Sequence, residues 1–390
     1  MKKIFLGLIF FFGFLYSKEI LITKYLQNKP VIIVNFKGPS QVEKILKMDF
    51  TVLDHFKVLY NDTNKSDLKN AMIFNCSYSL NNKKLTVKYI KNSNLIDIKY
   101  YKSNTFAYFP FLVHRAVYDI NNYFQMPSAK FLIRKVIYSL LIAPKEANIY
   151  LSDYTLSYKK MLISGGLNIF PKWADAKQKV IYFTKMENLP VLYKFNIYTG
   201  KMTKILSTQG MLTVSDVKNG KILLTLAPKG MPDVYMYKNH KLIRITKYPG
   251  IDVNGKFWGK DSIVFISDRF GPPYVFSKNL KTGSISKVLY HGKNQVGVDT
   301  YNNKMVISTR ESANAFGNNT FDLFLVNKNN ESLKRLTFGG QNMTPNFSVD
   351  GTSIMFIKRE HFFSKIGIIR LNENKIFYYN LPKILQSFDW

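Results

Sequence analysis

A repeat constrains this chain more than any other feature. "NLPVLYKFN" (188–196), "GMPDVYMYK" (230–238) and "GPPYVFSKN" (271–279) each place a turn and a proline before an alternating apolar strand. Pro190, Pro232 and Pro273 stand 42 and 41 residues apart. "EANIYLSDY" (146–154), "NTFDLFLVN" (319–327) and "FSKIGIIRL" (363–371) continue the series without the proline. Each such strand is followed by a turn and an outer strand, as in "NHKLIRIT" or "ENKIFYYN", and preceded by an apolar strand such as "VIYFTK" or "SIMFIK". That makes six units of roughly 40 to 48 residues, each with three visible strands and a variable lead-in. No unit of this kind buries both faces alone, so the units must stack radially as the blades of a six-bladed β-propeller. A β-sandwich also repeats strands every 8–12 residues or so, but it gives no reason for six self-similar units.

The lead-in is itself patterned. "NMTPNF" (342–347) matches "NIFPKW" (168–173) in the spacing of asparagine, proline and aromatic, and a weaker copy runs from Asp252 to Phe257. The first unit lacks a lead-in before Phe131; "ILQSFDW" (384–390) can supply it and close the ring by pairing the two chain ends. Gly165-Gly166 and Gly339-Gly340 read as turn glycines, and Asp350-Gly351 as turn architecture. This leaves Asn342-Met343-Thr344, expected to be exposed between blades, as a candidate partner contact.

Residues 18–126 have a different rhythm. Pro30 to Phe36 is a buried-type strand, and Ser40-Gln-Val-Glu43 is a capping box that opens a short helix through Ile45, Leu46 and Met48. Met72–Tyr78 and Leu85–Ile90 flank Asn81-Asn82 as a hairpin, with Leu85, Val87 and Tyr89 inward; another strand covers Leu95–Tyr101. Phe109, Leu112, Val113, Ala116, Val117, Ile120 and Phe124 then recur at helical spacing, with Pro110 in the first turn. His114 and Arg115 fall off this stripe and are expected in solvent. The fold class is therefore two-domain, a small N-terminal α/β domain (18–126) followed by a six-bladed β-propeller (127–390).

Lys2 and Lys3 precede the apolar run Ile4–Tyr16, and Ser17 stands before Lys18-Glu19, the pattern of a secretory signal peptide over residues 1–17. The run is too short to span a bilayer comfortably, and no later segment offers 18 or so uninterrupted apolar residues. The chain past residue 17 is expected to be exported and soluble. Cys76 is the single cysteine, which excludes an intramolecular disulfide, and five scattered histidines give no metal-ligand spacing. Neither a metal nor a cofactor is expected. The net charge of +31 invites an acidic partner. Yet the lysines come in ones and twos, without a basic helix or RNP-type motif, so nucleic acid is not expected.

Ser348-Val-Asp350-Gly351-Thr352 resembles the S-x-D-x-G-x-T box of sialidases. A sialidase-like glycosidase also needs an arginine triad, and Arg244, Arg269, Arg310, Arg335, Arg359 and Arg370 show no repeated placement. No G-x-S-x-G elbow follows the repeats. No catalytic residues are assigned, and the chain reads as a binding module rather than an enzyme. A propeller that binds an anionic envelope polymer is the other alternative.

The order of signal peptide, small α/β domain and six-bladed propeller resembles the TolB family of the Tol-Pal system over essentially the whole exported chain. "KEILITKYLQNKPVIIVNF" (18–36) is similar to the family's N-terminal segment, and Phe50, Leu53 and Asp54 to its F-x-x-L-D element. "FISDRFGPPYVF" (265–276) and "RLTFGGQNMTPNFSVDG" (335–351) are similar to its propeller motifs. The resemblance implies a monomeric periplasmic adaptor that binds TolA and the lipoprotein Pal and supports outer-membrane integrity and constriction at cell division. For TolA it implies Lys18, Glu19, Ile20, Leu21, Ile22 and Thr23. For Pal it implies the inter-blade loops at Gln209, Gly210, Met211 and Leu212, at Asp252, Val253 and Asn254, at Asn294 and Gln295, and at Asn342 and Met343.

Overall fold

The computed structural model describes residues 29–61, 71–313, 319–328, 332–381 and 383–390. The expected signal peptide and the Lys18–Thr23 segment lie outside them.

The N-terminal domain is one sheet under two helices. β1 (Val31–Lys37), α1 (Ser40–Leu53), β2 (Lys57–Tyr60), β3 (Met72–Ser79), β4 (Lys84–Lys91), β5 (Asn94–Lys102) and α2 (Phe109–Tyr123) follow in order. The sheet runs β2-β1-β3-β4-β5, parallel around β1 and antiparallel beyond β3. Leu85, Val87 and Tyr89 point into the core as their alternation requires.

Two expectations fail here. Ser40 does not cap α1: Pro39 does, in extended conformation, its carbonyl accepting from the Val42 and Glu43 N–H groups at 3.0 and 3.3 Å. The helix thus starts one residue early. Ser40 already lies inside its first turn, and Glu43 pairs with Lys47 instead, at 2.8 Å. His114 is not in solvent but fully buried, whereas Arg115 is exposed. The apolar stripe marks only the side of α2 that meets the sheet; the side carrying His114 is covered by the propeller.

The propeller has six four-stranded units among the described residues. Their innermost strands are Leu385–Asp389, Leu167–Trp173, Leu212–Lys218, Asp252–Trp258, Gln295–Tyr301 and Gln341–Phe347, in blades 1 to 6. The chain ends do pair: Leu385 lies opposite Leu140 and Asp389 opposite Ile137, so the C-terminal strand completes blade 1. The sheets of blades 1 and 2 are joined by one parallel strand pairing, Ala147 with Leu167, and those of blades 5 and 6 by Phe321 with Gln341.

One apolar core runs through both domains, joining Ile32, Phe74 and Val113 to Phe131, Ile357 and Phe388. Polar ties reinforce it. His55 contacts Asn121 and Glu373 at 2.6 and 2.7 Å, and Arg370 donates to Glu373 at 3.0 Å. Asp350 accepts from Ser128 Oγ at 2.7 Å and from the Lys130 N–H at 2.9 Å, pinning the linker to the last blade. Burial works against its charge, but these bonds and those from Ser348 and Thr352 hold the carboxyl below the usual range. Gly351 completes the turn with φ +65, and a Cβ there would sit 2.2 Å from the Tyr301 ring.

Candidate protein-interaction face

The lead-in motif is the innermost strand, and its residues join the blades. Asn168 Nδ2 donates to the carbonyls of Ala147 and Gly165 at 3.0 and 3.1 Å; Asn342 Nδ2 donates to those of Phe321 and Gly339, both at 3.0 Å. Both side chains thus reach back to the preceding blade in the same way. Where the preceding blade carries the repeated proline, the backbone takes over. The Asp252 and Gln295 N–H groups donate to the carbonyls of Pro232 and Pro273 at 2.9 and 2.8 Å.

The three lead-in copies also share a bulge, with positive φ at Phe170, Asn254 and Thr344. Each copy then offers the N–H of its aromatic to an aspartate of another inner strand. Trp173 donates to Asp389 at 2.9 Å, Phe257 to Asp216 at 2.9 Å and Phe347 to Asp299 at 2.7 Å. The ring therefore has a three-fold alternation of blade types beneath its six-fold count. Lys256 pairs with Asp299 at 3.0 Å and Lys172 with Asp389 at 2.9 Å, each between the inner strands of neighbouring blades. Burial alone would lower the Lys256 pKa, but Asp299 and Asp216 beside it raise it.

Because strands alternate in direction, each blade sends two turns to one face and two connections to the other. Turns after the first and third strands carry Asp153 and Glu373, which touch the N-terminal domain, and Asp350, which holds the linker; theirs is the domain face. Turns after the second strand, and links between blades, form the free face. That face carries Leu189 (43% exposed), Met231 (56%), Phe270 (69%), Tyr290 (80%), Phe338 (78%) and Phe362 (88%). Large side chains with this exposure on one face mark a contact surface more than a solvated one. Cationic neighbours brace some of them: Arg335 lies 4.7 Å from the Phe338 ring centre and Lys287 4.4 Å from that of Tyr290.

The residues expected to touch Pal all fall on this face but differ in what they present. Gln209, Gly210, Met211 and Asn254 are exposed, and Val253, Asn294 and Met343 are half-buried. Asn254 and Met343 line a cavity of about 210 Å³ at the channel mouth. Leu212, Asp252, Gln295 and Asn342 are buried. Asp252 takes two bonds from Arg269 at 2.8 and 2.9 Å, and Gln295 accepts from the Val275 N–H at 2.6 Å. The expectation that Asn342 is exposed between blades is thus corrected: its amide is spent on the preceding blade.

The exposed aromatics were missed by sequence reasoning. Their signal was present in "RFGPPY", "LTFGG" and "EHFFS", where a large apolar residue sits in a turn with no strand to carry it inward. The arginines also needed correction, because Arg244 and Arg335 do repeat. Each sends Nε to the carbonyl of a threonine two residues on (Thr246, Thr337), at 3.1 Å, and pairs with an aspartate, Asp233 or Asp322. With Arg269 on Asp252 and Arg370 on Glu373, four of the six arginines are held by separate carboxylates rather than gathered on one ligand. Among the described residues no group of three or more His, Cys, Asp or Glu is placed to hold a metal, and no helix is long and apolar enough to cross a membrane.

Fold and face together define a two-domain propeller protein whose conspicuous surface is suited to docking another macromolecule. The chain matches the TolB beta propeller domain family over residues 134–374. It is 37% identical over 396 residues to the Tol-Pal system protein TolB of Helicobacter hepaticus, covering 95% of this chain and 94% of that one. It is 35% identical to the protein of that name from Campylobacter jejuni (strain RM1221), with both chains covered fully. The crystal structure of TolB from Acinetobacter baumannii superposes with a TM-score of 0.76 at 15% identity, over 93% of this chain and 96% of that one. The chain belongs to the TolB family, whose members are Tol-Pal system components and not enzymes.

Proposed function

We propose that this protein is a periplasmic adaptor of a Tol-Pal system, binding the lipoprotein Pal through the free face of the propeller and TolA through Lys18 to Thr23. It acts as a monomer that supports outer-membrane integrity and constriction at division. The observation that carries the Pal assignment is the ring of exposed apolar side chains, Phe270, Tyr290 and Phe338 foremost, around a channel mouth lined by Asn254 and Met343. Aromatic anchors of this kind dominate the energetics of protein interfaces. A short extended segment such as Lys18–Thr23 can add a strand to the sheet edge of a partner, backbone hydrogen bonds giving affinity.

The test is titration calorimetry of the chain from Lys18 onward against the soluble domains of Pal and TolA. Phe270→Ser with Phe338→Ser weakens Pal binding by about a hundredfold, two anchors at some 1–2 kcal/mol each, and leaves TolA binding unchanged. Deleting residues 18–23 does the reverse. Pal affinity that survives the double substitution overturns the face assignment, and TolA affinity that survives the deletion overturns the segment assignment.

A further inference from the structure

The two faces of the propeller differ in charge as well as in apolarity. On the domain face, the turns of blades 2 to 5 present a run of exposed lysines, among them Lys177, Lys201, Lys218, Lys238, Lys241 and Lys260. In these turns the described acidic side chains are Asp175, which is exposed, and Asp261, which is paired with Lys281 at 2.9 Å. Asp216 and Asp299 of the same inner strands are turned into the channel, where Lys256 answers them. Lys177, Lys201, Lys238, Lys241 and Lys260 form no salt bridge among the described residues. Against the apolar ring of the opposite face, these turns carry one exposed aromatic, Tyr198, whose hydroxyl accepts from Lys135 Nζ at 2.6 Å; Asn219-Gly220, Asn239-His240 and Thr199-Gly200 make up the turn tips.

This surface is not flat. The N-terminal domain rises from the same face over blades 1 and 6, through His114 to Asp153, His55 to Glu373 and Lys375 to Asp54. The lysines therefore occupy a ledge beside a wall. An extended chain can lie along such a ledge, whereas a bilayer surface meets the wall first.

We propose that this ledge binds an extended acidic peptide, which crosses several blades and leaves the free face open. The lysines act as separated point charges rather than as one pocket, so affinity accumulates along the polymer and is screened by salt. This site is independent of the Pal reading, because it lies on the other side of the disc.

The test uses the whole chain from Lys18 onward and fluorescein-labelled poly-L-glutamate of about 50 residues, read by anisotropy at low salt and again near 0.15 M, where screening reaches about 8 Å. One variant carries Lys201→Gln, Lys238→Gln, Lys241→Gln and Lys260→Gln. A second, of equal net charge, carries Lys145→Gln, Lys229→Gln, Lys247→Gln and Lys293→Gln on the free face. The ledge variant binds about tenfold more weakly at low salt, and the free-face variant changes less than twofold. Equal losses would reduce the effect to net charge and overturn the proposal, as would no binding by the unmodified chain. Phosphatidylglycerol vesicles form a third arm. Capture by vesicles through the ledge lysines, without poly-L-glutamate binding, overturns the polymer in favour of a membrane surface. Both variants retain Phe270 and Phe338, so Pal titration of the same samples reports separately on the free face.

Discussion

His114 on α2 donates through Nε2 to Asp153 of the first blade at 3.2 Å, and neither side chain has any exposure. Its other nitrogen meets Asp49 of α1 at 2.8 Å, and the Tyr154 hydroxyl donates to the same carboxylate at 2.6 Å. One imidazolium thus joins two elements of the small domain to the propeller. Burial opposes its charge, but Asp49 beside it and the bonds to Asp153 and Asp49 raise the His114 pKa to about 9.

That raised value gives a pH prediction with a definite sign. Unfolded, His114 titrates near 6.5, so below that pH it is charged in both states and its contribution is fully present. The contribution is lost as pH rises from about 6.5 through about 9. Thermal melts from pH 6 to 9.5 should show falling stability across that window. His114→Gln removes that fall and costs about 3–5 kcal/mol at neutral pH, because two buried carboxylates lose their cation. A pH profile identical to that of the unmodified chain would exclude His114 as its source.

Asn342 and Phe338 separate architecture from contact. Asn342→Ala leaves the Phe321 and Gly339 carbonyls without their donor and should cost about 1–3 kcal/mol in urea unfolding. Asn168→Ala, with its equivalent bonds to Ala147 and Gly165, should cost the same within error. Phe338, 78% exposed, makes little of the core, and Phe338→Ser should change the unfolding free energy by less than about 0.5 kcal/mol. An Asn342 variant with unchanged stability would return that residue to the list of partner contacts.

The six-fold repeat and the closing strand were legible because proline spacing, turn glycines and strand alternation are local in sequence. The stripe of α2 was legible for the same reason, but only the part of it that meets its own sheet. His114 escaped because what buries it is Asp153, 39 residues on, in another domain. The Ser40 box misled because Pro39, with its fixed φ of −63, takes the cap position first. Of the candidate contacts, Met211 and Asn254 proved open and Asn342 and Gln295 closed. A short polar residue before a strand fits a loop and an inter-blade joint equally well.

The closing strand carries more than its own hydrogen bonds. Trp390 Nε1 donates to the Phe347 carbonyl at 3.0 Å, and Asp389 accepts from the Trp173 N–H, so seven residues hold blades 1, 2 and 6 together. Removing residues 384–390 should convert one cooperative unfolding transition into a broad or biphasic one, followed by calorimetry. It should also expose residues 136–152 to limited proteolysis. A truncated chain that still melts in one sharp step would show that the ring is held by its blade contacts alone.

Lys256 offers the sharpest test of the channel, since three aspartates, Asp299, Asp216 and Asp389, act on its buried ammonium. Lys256→Met leaves Asp299 and Asp216 without their nearest cation, Lys172 being the one that still acts on Asp216, and Asp216 is already raised above the usual carboxylate range, by burial first and then by Asp299. The single substitution should therefore cost about 3–5 kcal/mol, and more at pH 8 than at pH 5, because protonation at low pH relieves the unpaired carboxylates. Adding Asp299→Asn removes one of the two charges and keeps a hydrogen-bonding group near the Phe347 N–H, which Asp299 holds at 2.7 Å. The double variant should recover at least half of the loss. If the two substitutions simply add, the ion pair contributes nothing to closing the ring, and stability must rest on the backbone bonds from Phe257, Phe347 and Trp173.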